Sequence, residues 1–191
     1  MKKQGKLFIL SAPSGTGKTT VVNAVLGSMI FEYPLKRVIT YTSRRPRQGE
    51  IDGVDYCFIA QHEFESKIQE GFFIEYSQVY DAYYGSPSSI KEGLSQGDSY
   101  ILVIDRVGAQ LVIPQMECIT IWMEPPSLQA LRQRLERRAK DEPGVIERRL
   151  EIAAQEMAQE RQSPCYQHCI INDDFERTVY ALRLLILSLV M

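Results

Sequence analysis

A parallel α/β sheet flanked by helices, with a small β-rich insertion and an arginine-dense helical segment, is the fold class this sequence predicts. Three observations lead there. Strand-like apolar runs alternate with helix-like stretches, the pattern of a parallel sheet with helical crossovers. A loop of small residues, 12–19, separates the first apolar run from the first helix. The stretch 34–86 breaks the alternation: Tyr33, Tyr41, Tyr56, Tyr76, Tyr80, Tyr83 and Tyr84, seven of the ten tyrosines, fall in it or at its edge, among short β-like runs punctuated by Gly and Pro.

The first strand is expected over about 6–12, where Leu7-Phe8-Ile9-Leu10 is unbroken apolar chain, as in a strand covered on both faces. The helix after the loop should reach about Leu26 and stop near Gly27 and Ser28. Beyond the insertion, Ile101-Leu102-Val103-Ile104 reads as a buried strand ending in the carboxylate of Asp105. Between 127 and 150, Arg132, Arg134, Arg137, Arg138, Lys140, Arg148 and Arg149 face Glu136, Asp141, Glu142 and Glu147, a local net of +3 in a chain of net −2. Such a cluster suits a local phosphate partner or a solvated helix laced with i,i+4 pairs. Asn172, Asp173 and Asp174 are N-cap candidates for a last helix that sets Phe175, Val179, Leu182, Ile186 and Leu189 on one stripe. The chain divides into a core of 1–33, 87–126 and 165–191, the inserted lobe 34–86, and the arginine-dense segment with its following helix, 127–164.

Composition narrows the function classes. At 45% hydrophobic and 24% charged residues over 191 positions, the chain reads as an ordinary soluble globular protein. A balance of 22 basic and 24 acidic side chains argues against a general DNA coater, which needs a basic face, and leaves room for a local basic pocket. No run reaches the roughly 18–20 apolar residues of a membrane span. The run from Leu184 to Met191 is short and reads as a docked helix, and the N-terminus reads as a strand and not a leader. The cytoplasm is the expected address. Cys57 and Cys118 lie in strand-like contexts. Cys165-Tyr166-Gln167-His168-Cys169 invites a zinc reading, yet a structural zinc wants four ligands in paired spacing and no second pair exists. Free thiols, buried or half-buried, are expected.

The loop Ala12-Pro13-Ser14-Gly15-Thr16-Gly17-Lys18-Thr19 is a phosphate-binding P-loop with Ala at the usual first Gly, and it stands between strand and helix as that motif requires. Gly15 and Gly17 let backbone N–H groups turn inward around phosphate oxygens, and the helix N-terminus adds positive potential. Lys18 can reach between the β- and γ-phosphates, and the Thr19 hydroxyl can ligate Mg²⁺, which keeps several waters and takes few protein oxygens. These residues, with the adjacent Thr20, form the expected NTP site of a P-loop NTPase-type sheet. Asp105, at a strand C-terminus, should face the ligand crevice and assist the metal, or else cap a helix. The motif leaves the phosphoryl acceptor open.

The inserted lobe supplies the acceptor clue. Thr42-Ser43-Arg44-Arg45-Pro46-Arg47-Gln48-Gly49-Glu50 sets Arg44 and Arg47 beside Pro and Gly, so a rigid loop can present guanidinium forks to a phosphate dianion. Tyr56 and Tyr84 can add phenolic donors. Glu75, in Phe72-Phe73-Ile74-Glu75-Tyr76, is a lone carboxylate in an apolar-aromatic strand. It is either the polar side of an alternating strand or a pocket group that accepts two hydrogen bonds side by side. Guanine offers that donor pair, N1–H and N2–H₂; adenine does not.

At these residues the sequence resembles the guanylate kinase family over nearly the whole chain. The resemblance is carried by the P-loop, by Thr42 through Tyr56 with its Arg-x-Pro-Arg-x-Gly-Glu string and Gly-x-x-Tyr, by Phe73-Ile74-Glu75, Tyr83-Tyr84-Gly85-Ser86, Ile104-Asp105 and Pro125-Pro126-Ser127, and by Ile171-Asn172-Asp173-Asp174. It implies phosphoryl transfer from ATP to GMP or dGMP with Mg²⁺, a GMP-binding (NMP-binding) lobe at 34–86, and a helical lid in 127–164. No nucleic-acid or membrane partner is implied. Arg44, Arg47, Tyr56 and Tyr84 would hold the GMP phosphate. Glu75 and Thr40, where the family usually has Ser, would read the guanine edge. Asp105 would lie near nucleotide and metal, Arg134, Arg138 and Arg149 would be the lid arginines, and Asn172 would sit near the adenine end of ATP.

The sequence departs from the family pattern at Val103, where an acidic residue is usual, at Val107, usually Gln, and at Ala139, usually Gly after the lid arginine. Two other readings stay open at this point: a non-catalytic guanylate-kinase-like module that binds protein segments, against which Lys18 and Thr19 speak, and a P-loop kinase with a sugar-phosphate acceptor, which would have no use for Glu75.

Overall fold

The computed structural model describes residues 4–29, 34–79, 81–137 and 143–190. Tyr33, Tyr80, and Arg138, Ala139, Lys140, Asp141 and Glu142 of the arginine-dense segment lie outside the described residues. Strand β1 (Leu7–Ser11) is buried at every position and forms the middle of a five-stranded parallel sheet. Its neighbours are β7 (Ser99–Val103) and β8 (Ile119–Glu124). β2 (Leu35–Arg37) and β9 (His168–Ile171) close the edges, giving the order β2-β7-β1-β8-β9.

Period-two alternation sends the side chains of each central strand to opposite faces. On one face Phe8, Leu10, Ile101, Ile121 and Met123 pack against α1 (Lys18–Met29) and α7 (Phe175–Val190) through Val21, Val22, Val25, Leu182 and Ile186. On the other, Leu7, Ile9, Leu102 and Ile104 meet α3 (Ile90–Ser95) and α4 (Arg106–Val112) through Ile90, Leu94, Ala109 and Val112. A smaller cluster joins Leu131 and Leu135 of α5 (Leu128–Arg137) to Ile146, Leu150 and Ala153 of α6 (Pro143–Gln162). Among the described residues no helix is long and apolar enough to cross a membrane.

The lobe is a second sheet of order β4-β3-β6-β5, built from β3 (Tyr41–Thr42), β4 (Cys57–Phe58) and the antiparallel hairpin of β5 (Phe73–Val79) and β6 (Ala82–Pro87). Helix α2 (Gln61–Gln69) covers it. Phe64, fully buried, stacks on Phe73 at 4.4 Å and on Tyr83 at 5.2 Å between ring centroids. Gly85 is required beneath this stack, since a Cβ there would lie 2.9 Å from both Phe64 and Phe73.

Several expectations change. The insertion does not start at 34: Leu35–Arg37 pairs in parallel with β7 and Leu35 packs into the core, so the lobe's own sheet begins at Tyr41. Helix α1 runs through Gly27 and Ser28 to Met29; nothing crowds Gly27, and a helix fixed by the buried valines upstream tolerates the ~1 kcal/mol cost of one glycine. Phe175 stands off the α7 stripe, 42% exposed, while Leu182 and Ile186 are fully buried. Asp174 is the cap of that helix, accepting from Arg177 N at 2.9 Å. Cys57, Cys118 and Cys165 are half-buried free thiols, but Cys169 is exposed.

Candidate active site

The P-loop runs from the C-terminal end of β1 into α1. Gly15 and Gly17 adopt φ of +90° and +98°, which only glycine takes without strain. Thr16, 1% exposed, folds its N–H and hydroxyl onto the carbonyl of Pro13 at 3.2 and 2.8 Å. Three outside groups grip the loop. Asn172 donates from Nδ2 to Thr16 O at 2.6 Å. Arg134 on α5 donates to Thr16 O at 3.2 Å and to Asn172 O at 2.7 Å. Arg149 on α6 donates to the Ser14 hydroxyl at 2.8 Å. Leu135 closes over Gly15, where a Cβ would come within 2.6 Å of its Cδ2.

Lys18 points its ammonium back across the loop mouth and donates to Ala12 O at 2.5 Å. Burial lowers its pKa, the nearby Arg149 charge adds to that, and Glu156 and Asp105 oppose it. Thr19, half-buried, follows in the first turn of α1, and Thr20 is exposed. Glu156 did not stand out in the sequence, where it is one charge among many on a long helix. Burial and the charge of Asp105 push its carboxyl up to about 7, against the pull of Lys18 and Arg106.

In the lobe, Arg44 lies with its guanidinium over the rings of Tyr56 and Phe58, 4.9 and 5.4 Å from their centroids. It forms a fork-to-fork pair with Glu50 at 2.6 and 2.7 Å. Glu50 also accepts from Arg47 N at 2.7 Å, while the Arg47 side chain is exposed. Burial raises the Glu50 carboxyl, but Arg44 and the Arg47 amide outweigh it and the net shift is downward. Burial likewise works against the charge of Arg44, and Glu50 and Tyr84 more than offset it, so Arg44 is held protonated more firmly than usual. Burial raises the Tyr56 phenol, which therefore stays a donor; its ring meets Tyr84 edge-on at 6.1 Å. Arg44, Tyr56 and Tyr84 are thus brought together as the sequence suggested, with Glu50 as the counter-ion.

Glu75 is 4% exposed, and Ser86 donates to its Oε1 at 2.5 Å across the β5–β6 ladder. Burial and the charge of Asp105 lift its carboxyl to about 7, with the Ser86 bond pulling the other way. Thr40, 7% exposed, precedes β3. Asp105 caps α4, accepting from Gly108 N at 2.7 Å, and its second oxygen accepts from Ser77 of β5 at 3.2 Å. It is therefore a helix cap that also faces the lobe. Its backbone oxygen accepts from Ser11 at the end of β1 at 3.3 Å, and its charge acts on both Lys18 and Glu75. Asn172, 5% exposed, has its amide committed to the P-loop and to Thr178, which donates to its Oδ1 at 3.0 Å. The Ser86 contribution was readable only from the register of the hairpin, which places it opposite Glu75. Arg138 lies outside the described residues.

The guanylate kinase family model matches residues 4–189. A guanylate kinase of Protochlamydia amoebophila is 42% identical over 188 residues, covering 97% of this chain and 92% of that protein. One of Alkalilimnicola ehrlichii is 40% identical over 177 residues, 92% of this chain and 84% of that one. The crystal structure of guanylate kinase from Anaplasma phagocytophilum superposes with a TM-score of 0.79 at 29% identity, over 98% of this chain and 87% of that chain.

Proposed function

This chain belongs to the guanylate kinase family, and we propose on that premise how its residues carry out the family's reaction, transfer of the γ-phosphoryl group of ATP to GMP. The observation that carries the assignment is the place of Asp105 between the two sites: its backbone oxygen accepts from Ser11, at the end of the strand that leads into the P-loop, at 3.3 Å, and its carboxylate accepts from Ser77 of the lobe strand β5 at 3.2 Å. We infer that donor phosphates bound at Lys18 and a base bound at Glu75 share one cleft.

On this reading the P-loop residues 12–20 hold the ATP phosphates, and Lys18 leaves Ala12 O for the transferring group. Arg44, Arg47, Tyr56 and Tyr84 hold the acceptor phosphate. The buried Arg44 Nε, which has no protein partner among the described residues, fits an anion there. Glu75, with Ser86 bonded to it and with Thr40 as its partner in reading the base, accepts from guanine N1–H and N2–H₂, and dGMP presents the same edge. The GMP phosphate is itself the nucleophile, so no dedicated base is needed; catalysis is positioning and charge stabilisation. Arg134 and Arg149, already at the P-loop, offset the repulsion between the two anions, a role the family resemblance extends to Arg138. Asn172 keeps Thr16 and hence the loop in place on the ATP side.

A single hydroxyl, Thr19, beside a helix N-terminus suits Mg²⁺, which keeps waters and takes its other ligands from phosphate oxygens; when bound, it neutralises developing charge between the β- and γ-phosphates. The free thiols suit a reducing compartment, and we place the reaction in the cytoplasm. The test is ATP consumption with GMP, dGMP, AMP, UMP and ribose phosphates offered in parallel. Turnover is expected with the guanine nucleotides; comparable turnover with ribose phosphates or none with GMP overturns the reading.

A further inference from the structure

One buried ion pair remains outside the mechanism above. Arg106 and Glu160 are 6% and 8% exposed, and Arg106 Nε meets Glu160 Oε2 at 3.3 Å. Around them the polar groups are answered in detail. Glu160 Oε1 accepts from the backbone of Cys165 at 3.0 Å and of Tyr166 at 3.2 Å, the Cys165 thiol reaches Oε2 at 3.4 Å, and Arg106 Nη2 donates to Ser163 O at 2.9 Å. The pair thus ties three things together: the N-terminus of α4, the last turns of α6, and the chain that leaves α6 for β9.

Its place along α6 matters. Arg149, Ala153, Glu156 and Glu160 are spaced four, three and four residues apart, so they lie on one face of the helix. That face touches the P-loop at Arg149, is fully buried at Ala153, feels Lys18 at Glu156, and ends on Arg106 at Glu160. From Glu160 to Arg149 is about three turns, ~16 Å of rigid helix. The fixed end stands on α4, the helix whose cap, Asp105, faces the lobe. A buried ion pair is poor at adding stability, since apolar residues of similar volume often do as well. What it adds is direction: its bonds are satisfied in one register only.

We infer that Arg106 and Glu160 are positioning residues that set the register of α6 and so place Arg149 over the P-loop, in line with the element that carries Asp105. This rests on the proposed role of Arg149. Neither residue touches substrate; both act through the helix.

The experiment is a double-mutant cycle on the full chain, with steady-state turnover, GMP and ATP binding isotherms, and thermal unfolding. Arg149→Ala alone tests the underlying reading and should lower kcat. Arg106→Met should lower kcat about ten- to a hundredfold, the scale of an ångström-sized misplacement, while GMP affinity falls by less, because Glu75 keeps its own bond to Ser86 and Arg44 its pair with Glu50. Arg106→Lys, which keeps the charge beside Glu160 but cannot also span to Ser163 O, should recover only part of the loss. On the Arg149→Ala background, Arg106→Met should cost less than about threefold, because residues that act through one another are not additive. If Arg106→Met fails to fold, the paired Arg106→Met/Glu160→Met variant, which leaves no charge unpaired, takes its place in the cycle with the same expectations. An unaltered kcat in Arg149→Ala overturns the reading of Arg149 and the inference with it. A normal Arg149 effect with strictly additive losses, or with wild-type kcat in the variant lacking the ion pair, overturns the inference alone.

Discussion

Arg44 and Glu50 face each other fork to fork, Nη1 to Oε2 at 2.6 Å and Nη2 to Oε1 at 2.7 Å, with 13% and 20% of their side chains exposed. Two opposing effects follow. Glu50 competes with an incoming phosphate for the same donors, yet it also holds the guanidinium over the Tyr56 ring and leaves Nε for the anion. Because Glu50 also fixes Arg47 N, the positioning effect should win. Glu50→Gln keeps acceptors but removes the charge that orients the fork. We expect GMP to bind about tenfold more weakly, of order 1–2 kcal/mol for a charge-assisted bond, with ATP binding unchanged. Titration calorimetry with each nucleotide separately decides it, and tighter GMP binding would mean that competition dominates.

Glu75 should make both affinity and stability depend on pH, in opposite senses. Its carboxyl titrates at about 7 in the fold, raised from 4.5 by burial and by Asp105. Guanine donors need the carboxylate, so affinity for the base should rise with pH up to about 7 and level off above. Guanosine, which has no phosphate to titrate, isolates this limb. For stability, the folded state binds the proton more tightly than the unfolded one. Its contribution is full below the unfolded pKa of 4.5 and is lost as pH rises through about 7. Above that the buried carboxylate is a standing penalty of up to about 3 kcal/mol. Glu75→Gln should therefore bind GMP roughly ten- to a hundredfold more weakly, yet unfold at a higher temperature than wild type at pH 8 and show a smaller gain at pH 5. Equal shifts in melting temperature at both pH values would contradict the buried-acid account.

Gly108 lies under Glu75: a Cβ there would come within 2.8 Å of Oε2, and within 3.4 Å of Asp105 Oδ1. In Gly108→Ala the helix should gain roughly 0.5–1 kcal/mol from the lost glycine, while the carboxylate is pushed off its bond to Ser86. The terms nearly cancel in stability but not in function. The expected result is a melting temperature within a few degrees of wild type, GMP affinity down about tenfold, and ATP affinity unchanged. Loss of ATP binding as well would show that the strain spreads through Asp105 to the P-loop.

Whether such groups were legible in the sequence depended on how far their partners lie along the chain. The P-loop glycines, Arg44 with Tyr56, and the Asp174 cap each sit within a dozen residues of what they serve, so a local string announced them. Glu75 stood out because a charge in an apolar strand needs a reason. Ser86 did not, because its role depends on the β5–β6 register, which shifts between Phe73 and Glu75. Glu156 and Glu160 look like ordinary charges on a solvated helix; only pairing with Arg106 on α4, some fifty residues away, buries Glu160, and only the P-loop lysine singles out the half-buried Glu156. The same distance rule explains Leu35–Arg37, three residues whose strand identity comes wholly from β7.

Arg134 offers a sharper test of the loop-gripping arginines than its charge alone would. It donates from Nη1 to Thr16 O at 3.2 Å and from Nη2 to Asn172 O at 2.7 Å, bridging the P-loop to the chain that enters α7. Asn172 meets the same Thr16 carbonyl, so the three groups form a closed set around one oxygen. A lysine keeps the positive charge near the phosphates but cannot span two carbonyls with a planar fork. If charge were all that mattered, Arg134→Lys would be silent. If the bridge holds the loop in its phosphate-binding shape, ATP should bind about tenfold more weakly, matching one lost bond to a charged donor at ~1.5 kcal/mol, and turnover should fall with it. GMP measured alone should be unaffected, because the lobe contacts lie on other elements. Arg134→Ala, which removes charge and bridge together, should lose more in turnover than in ATP affinity, since the charge acts most when the two phosphates approach. A lysine variant with wild-type ATP affinity and turnover would reduce Arg134 to a counter-charge on the helix surface.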